Sequence, residues 1–157
     1  MQTLECESGL GTPRWSPGGL ARLSVSGQRC DDENRATNCL AVAVNRSTGY
    51  GGLVWYVTER NANKGGIYDR VWISDNPSPV KFDPRIVADP GYPLFHDPAS
   101  AIPLPLVRVA MEEFASGEGD RPECVAWVPG SMNGERNDRP SKVEYVEDPE
   151  LDWGLMG

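Results

Sequence analysis

The sequence predicts an α+β fold: an antiparallel meander sheet, with one main helix from the C-terminal half packed on it and long proline-rich loops. Three observations predict it. Short apolar runs of two-residue periodicity follow one another through the first half, separated by glycine-containing turns. One segment, residues 103–116, has helical periodicity. The 17 glycines and 14 prolines are spread without a repeat, which favours long ordered loops over a low-complexity segment.

The sheet is predicted element by element. Residues 20–27 alternate apolar with small or polar side chains and predict a first strand. Residues 39–45 and 52–59 flank a glycine-containing turn and predict an antiparallel hairpin. A strand at 67–74 continues the meander, and ECVAWVPG at 123–130 predicts a final core strand. Residues 142–146 are a candidate for one more short strand.

The predicted helix has a clear apolar face and plausible ends. Pro103 or Pro105 suits its first turn, and Gly117 is placed to cap its end. Four apolar residues recur at helical spacing: Val107, Ala110, Met111 and Phe114.

Length and charge bound the function. At 157 residues we expect a single domain over 1–157, with a loop-like segment at 1–19 and an acidic tail at 139–157. Residues 1–111 hold eleven acids and eleven bases, so the net charge of −8 resides entirely in residues 112–157. Such a face repels nucleic-acid phosphates and attracts basic proteins, although a solvated, solubilising surface is the alternative interpretation. We therefore expect no direct nucleic-acid binding.

The cysteines and the chain ends carry no sign of metal binding or export. Cys6, Cys30, Cys39 and Cys124 form no C-x-x-C pair, so we expect no metal and no cofactor. The first residues lack signal-peptide features, and no apolar run is long enough to span a membrane. These features predict a cytoplasmic protein with reduced thiols and no membrane partner. Cys39 and Cys124 lie in apolar runs and are expected in the core.

No catalytic set is found in the sequence, so we predict that the chain is not an enzyme. His96 is the only histidine, and a structural or interface role is expected for it; a small hydrolase using His96 and a carboxylate is the alternative. No P-loop, G-x-S-x-G or H-E-x-x-H motif is present. Trp55, Trp72 and Trp127 are expected to pack in the core. Trp15 and Trp153 are expected to make exposed contacts.

The most distinctive stretch is VWISDNPSPVKFDP, at 71–84, followed by SAIPLPLVRVAMEEFASGEGDRPECVAWVPGSMNGER, at 100–136. Its prolines fix the backbone and remove hydrogen-bond donors, which is typical of a rigid surface built to be bound. The stretch resembles the first numbered family of immunity proteins of bacterial polymorphic toxin systems, in its actinobacterial form. The similarity lies in a tryptophan strand leading to a DNP loop, an Ile-Pro helix ending in EEF, and an RP-x-x-x-x-W strand. It covers residues 40–138.

The resemblance implies an α+β fold and a cytoplasmic protein that binds a cognate toxin and blocks it by occluding its active site or substrate cleft. The family is often paired with toxins of the nucleic-acid cytidine deaminase type. A general interaction module for another basic partner, such as a nuclease toxin, is the alternative. We expect the partner-binding residues to lie in the DNP loop (75–84) and in the arm that follows the last predicted strand (131–138, the NGER arm). These residues are Asp75, Asn76, Asp83, Asn133, Glu135, Arg136 and Asp138. The alternative for the DNP loop is a turn whose side chains bond local backbone. The sequence sets no oligomeric state.

Overall fold

Within the residues that the structure describes, the fold consists of eight strands and one α-helix. The computed structural model describes residues 18–25, 38–58, 64–89 and 94–140. The helix α1 is Leu104–Ser116. In chain order the strands are β1 (Gly18–Val25), β2 (Asn38–Asn45), β3 (Tyr50–Val57), β4 (Val71–Asp75), β5 (Val87–Asp89), β6 (Leu94–Phe95), β7 (Ile102–Pro103) and β8 (Ala126–Gly130).

The main sheet is antiparallel and has the order β1-β2-β3-β4-β8. The hairpin of β2 and β3 is confirmed, and its register pairs Leu40 with Trp55 and Val42 with Leu53. These four side chains therefore share one face, because alternate residues of a strand point to opposite sides. The turn is closed by Gly49, whose φ is 80° and whose N–H donates to the carbonyl oxygen of Asn45 at 3.0 Å.

The helix is confirmed within one residue of the predicted start. Pro105 lies in its first turn, where a missing N–H costs nothing, and Gly117 is its C-cap residue. Its buried residues are Val107, Ala110 and Phe114. They pack on the hairpin face to form the main core with Leu40, Val42, Leu53, Trp55, Ile102 and Val125.

Two predicted strands begin later than expected. Residues 66–69 form a 3-10 turn instead of the start of a strand, since Gly65 and Gly66 take φ values of 77° and 67°. The strand predicted at 123–130 begins only at Ala126, because the backbone N–H groups of Glu123 and Cys124 donate to the Glu113 carboxylate instead of to a neighbouring strand. The expectation that both thiols lie in the core is wrong: Cys124 is exposed and Cys39 is half-buried.

The proline-rich segment between β4 and α1, residues 76–103, contains strands that its sequence does not predict. β5 and β6 pair with each other in a separate two-stranded sheet. β7 pairs with the start of β3, where Tyr50 is opposite Pro103 and Gly51 is opposite Ile102. It lies on the same edge of β3 as β4. The described residues of this segment, 76–89 and 94–103, thus form an ordered layer attached to the main sheet.

The loop after α1 is fastened to both the helix and the sheet. The carbonyl oxygen of Gly119 accepts hydrogen bonds from Asn38 Nδ2 at 2.8 Å and from Trp55 Nε1 at 3.0 Å. The Glu113 carboxylate accepts from the backbone N–H groups of Glu123 at 2.6 Å and Cys124 at 3.1 Å. Hydrogen bonds from the Cys124 side chain and then the Glu123 backbone lower the pKa of Glu113.

The predicted tryptophan positions agree with the described core. Trp55 is fully buried, and Trp72 and Trp127 are half-buried against the main core. No helix in the described ranges is long and apolar enough to cross a membrane. The predicted strand at 142–146, the tail from 141 onward and residues 1–17 lie outside the described residues, as do Trp15, Trp153, Cys6 and Cys30.

Removing the Glu113 carboxylate tests whether the loop after α1 is held as described. We expect Glu113→Ala to lower the free energy of unfolding by about 2 kcal/mol, because two backbone donors lose a charged acceptor. Glu112→Ala is the matched control: its carboxylate makes only an exposed pair with Arg108, worth about 0.4 kcal/mol. Urea unfolding of both variants measures the difference. Equal losses would contradict the role of Glu113.

Candidate functional site

The proline-rich segment and the arm after β8 meet on the face of the sheet opposite α1. Along β2, Ala43 points to the face opposite the residues that pack against the helix. On that face it packs with Ile86 and Ala101. Gly52 alternates with Leu53 in the same way, and its open side faces the ring of His96. The chain segments predicted to bind a partner are therefore layered on the second face of the sheet.

His96 lies in a flat slot between two glycines. A Cβ atom added to Gly52 would lie 2.7 Å from its Cδ2, and one added to Gly134 would lie 3.1 Å from its Cε1. The φ of Gly134 is 89°, which also requires glycine. The backbone N–H of His96 donates to the carbonyl oxygen of Ile86 at 2.8 Å. The NGER arm thus owes its close approach to the absence of a side chain at residue 134.

The His96 imidazole is neutral and carries an unused polar atom. The residue is 3% exposed, and burial lowers its pKa to about 4. Its Nδ1 has no hydrogen-bond partner among the described residues. The neighbouring Asp97 carboxylate accepts instead from the backbone N–H of Ala99 at 2.8 Å and from Arg139 at 3.4 Å. Among the described residues, no hydrogen bond joins His96 to Asp97 in the way that an acid–base pair requires.

Arg136 joins the DNP loop to the NGER arm. Its Nη1 lies 2.8 Å from Asp75 Oδ1 and 3.2 Å from Ser100 Oγ. Its Nε and Nη2 each lie 2.8 Å from an oxygen of Asp138, a bidentate geometry. The Arg136 side chain is 3% exposed. The hydrogen bonds from Arg136 lower the pKa of Asp138 to about 2, and the same bonds raise the pKa of Arg136.

The side chains of Asn76 and Asn133 make hydrogen bonds that fix the loops in which these residues lie. Asn76 Nδ2 donates to the carbonyl oxygen of Ala101 at 2.7 Å, and its Oδ1 accepts from the N–H of Ser78 at 3.0 Å. Asn133 Oδ1 accepts from the N–H of Glu135 at 3.2 Å. These are the side-chain turns that asparagine favours. They fit the local-turn alternative for the DNP loop and leave partner contact at these positions a prediction.

Asp83 and Glu135 are better placed to be reached from outside. Asp83 is exposed, and its Oδ1 accepts from the N–H of Arg85 at 2.9 Å, which fixes the carboxylate. Glu135 is half-buried. Both line a pocket of about 100 Å³ that also contacts Arg136. The structure therefore brings together loop and arm residues that are far apart in sequence, and their contact with a partner remains a prediction.

Of the pocket residues absent from the predicted binding set, three have ionisable side chains: His96, Asp97 and Arg139. Their sequence context, a histidine and an aspartate before Pro98 and an arginine after the arm, has no pattern that distinguishes them. Only the long-range packing of β6 against the arm reveals them. No group of three or more residues that could hold a metal ion occurs among the described residues.

Breaking the Arg136 cluster tests how the loop and the arm are joined. We expect Arg136→Ala to lower the free energy of unfolding by about 3 kcal/mol, because a buried cation is removed and its carboxylate partners lose their counter-charge. Arg139→Ala is the control, since that side chain is 44% exposed and should cost under about 1 kcal/mol. Urea unfolding of the two variants separates them. A loss as small for Arg136→Ala as for the control would refute the cluster's structural role.

The buried imidazole predicts a pH dependence of stability. The folded pKa, about 4, lies below the ordinary value of 6.5, so between these values the unfolded chain binds more protons. Stability contributed by neutral His96 is therefore complete above pH 6.5 and is lost towards pH 4, by about 1.4 kcal/mol per pH unit. Urea unfolding at several pH values should show this slope in the wild type and lose it in His96→Gln. Parallel curves for the two proteins would show that His96 titrates normally.

One family model matches this chain. It is the model of the immunity protein Imm1, and it covers residues 7–129 of 157. No curated protein and no solved structure matches the chain significantly. The matched range includes the tryptophan strand, the DNP loop, α1 and nearly all of β8, and it ends just before the NGER arm. Since the match spans well over half of the residues, the chain belongs to the Imm1 family of immunity proteins.

Proposed function

We propose that this immunity protein binds and inhibits a toxin of the nucleic-acid cytidine deaminase type in the cytoplasm, as part of a polymorphic toxin system. Inhibition occurs by occlusion of the active site or the substrate cleft, and no covalent bond is made or broken by the chain. The family match over residues 7–129 carries the inhibitory function. The deaminase class comes from the pairing that the family resemblance implies.

A preorganised surface supports inhibition by occlusion. The DNP loop and the NGER arm are fixed by Arg136 and by the asparagine turns, so little conformational entropy is lost when a partner binds. Two apolar side chains project from this surface: Phe82 is 51% exposed and Met132 is 56% exposed. Exposed aromatic and methionine side chains beside fixed polar groups are typical of protein interfaces.

The charge of the chain supports a basic partner. A deaminase acting on nucleic acid must hold a phosphate backbone in a basic cleft and take a base out of the stack. A protein with a net charge of −8 is attracted to such a cleft. A nuclease toxin also has a basic cleft, so the same charge fits that second candidate.

The deciding experiment uses the toxin encoded beside this chain. The two proteins are co-expressed and purified, and the toxin is assayed alone and at a one-to-one ratio for cytosine deamination and for strand cleavage. We expect a stable complex, deamination by the free toxin and loss of that activity in the complex. Cleavage in place of deamination would assign the nuclease class. A toxin that remains fully active in the presence of this chain would overturn the proposed function.

Charge reversal tests the binding surface itself. We expect Asp83→Lys with Glu135→Lys to slow association with the toxin by about tenfold at low salt, because steering towards a basic cleft is lost. The control reverses Glu112 and Glu118, which are exposed at the end of α1 on the other side of the sheet. Association rates are measured at two salt concentrations. An unchanged rate for the pocket variant would place the contact surface elsewhere.

A further inference from the structure

The pocket between the proline-rich segment and the NGER arm has the chemistry of a receptor for one side chain. We propose that it receives a single long basic side chain, lysine or arginine, from the toxin. This inference rests on the proposed function and adds to it a specific anchor.

Charge is the first argument. The pocket is lined by the carboxylates of Asp83, Asp97 and Glu135, and Arg136 and Arg139 are the arginines at its wall. Asp75 and Asp138 contact Arg136 from behind, and the guanidinium of Arg85 lies over the Phe95 ring at the pocket wall. Five carboxylates are therefore set against three guanidinium groups, and Arg136 and Arg139 already make ion pairs within the chain. Asp83 is exposed and forms no ion pair among the described residues, so its charge favours a further cation and opposes a phosphate or carboxylate.

A buried polar atom without a partner is the second and independent argument. His96 lines the pocket, is 3% exposed, and its Nδ1 has no hydrogen-bond partner among the described residues. Buried polar atoms in folded proteins are usually hydrogen-bonded, so an unpartnered one leaves a position for a further partner. In the tautomer that carries its proton on Nε2, Nδ1 is an acceptor, and a lysine or arginine supplies the donor that it lacks. Because burial keeps the imidazole neutral, with a pKa of about 4, it does not repel a cation.

The shape of the pocket is the third argument. Its volume of about 100 Å³ is that of one side chain. The remaining walls include Phe95, Pro98 and Pro140, which offer apolar surface to a methylene stem. Lysine and arginine bury their stems along such surface and direct the charged end to polar groups. One guanidinium of this chain already makes this kind of contact, since that of Arg85 lies 4.0 Å from the centre of the Phe95 ring.

Neutralising the pocket without changing its shape tests the inference. The variant is Asp83→Asn with Glu135→Gln, because asparagine can still accept the hydrogen bond from the N–H of Arg85. Against the purified toxin we expect the Kd to rise at least 30-fold, mainly through faster dissociation, as for other buried ion pairs that lose one partner. The control, Glu112→Gln with Glu118→Gln, should bind as the wild type does. Thermal unfolding confirms that both variants are folded.

A double-mutant cycle identifies the anchor. Each lysine and arginine of the toxin is changed to methionine, which keeps the length of the stem and removes the charge. One such variant should bind the wild-type chain at least 30-fold more weakly, yet lose less than threefold against the neutralised pocket. Agreement would assign that residue to the pocket.

The outcomes separate the two proposals. If the wild-type chain neither binds nor inhibits the toxin, the proposed function fails. If the wild type inhibits, but the neutralised pocket binds like the control and no basic residue of the toxin is coupled to it, the anchor alone is overturned.

Discussion

The buried guanidinium of Arg136 is the interaction on which the second face of the sheet depends. A cation in the protein interior is stable only where carboxylates and hydrogen-bond acceptors surround it. Asp75 comes from the end of β4, Ser100 from the proline-rich segment, and Asp138 from the arm after β8. One side chain therefore sets the relative position of three segments. Removing the Arg136 side chain would release these three segments from one another. Additional hydrophobic burial elsewhere in the protein would not restore their relative positions.

The two faces of the sheet serve different purposes. The face covered by α1 is apolar, and its core includes Trp55, Phe114 and Leu40, all fully buried. The other face carries smaller clusters, around Ile73 and around Ile86, and a polar layer above them. Stability thus comes mainly from the helix side, and the second face can hold charged groups and a pocket. Gly52 and Gly134 make this arrangement possible, because they let backbone lie directly against the His96 ring.

The sequence was sufficient where structure is set by local periodicity and insufficient where it is set by distant pairing. The hairpin of β2 and β3 and the helix follow from alternation and from helical spacing within single segments. β5, β6 and β7 have two or three residues each, so no periodicity can develop in them. Cys124 lies in an apolar run, yet its backbone N–H is held by Glu113, a contact between the helix and the loop that the run itself does not encode. Likewise, the sequence predicts the DNP loop and the NGER arm as two separate candidate surfaces, but the ion pair of Asp75 with Arg136, which joins them, spans 61 residues.

A surface that captures a basic partner must present negative charge and remain rigid, and these requirements conflict. Carboxylates that are crowded together repel one another and raise the free energy of the folded state. Here Arg136 and Arg139 lie between them, so that Asp97 and Asp138 are held in ion pairs while Asp83 is fixed by a backbone donor. Most of the local charge is therefore neutralised inside the chain, and the exposed carboxylate of Asp83 is left for the cation that we propose. That balance allows an inhibitor to be prearranged for a cation without depending on the cation to fold.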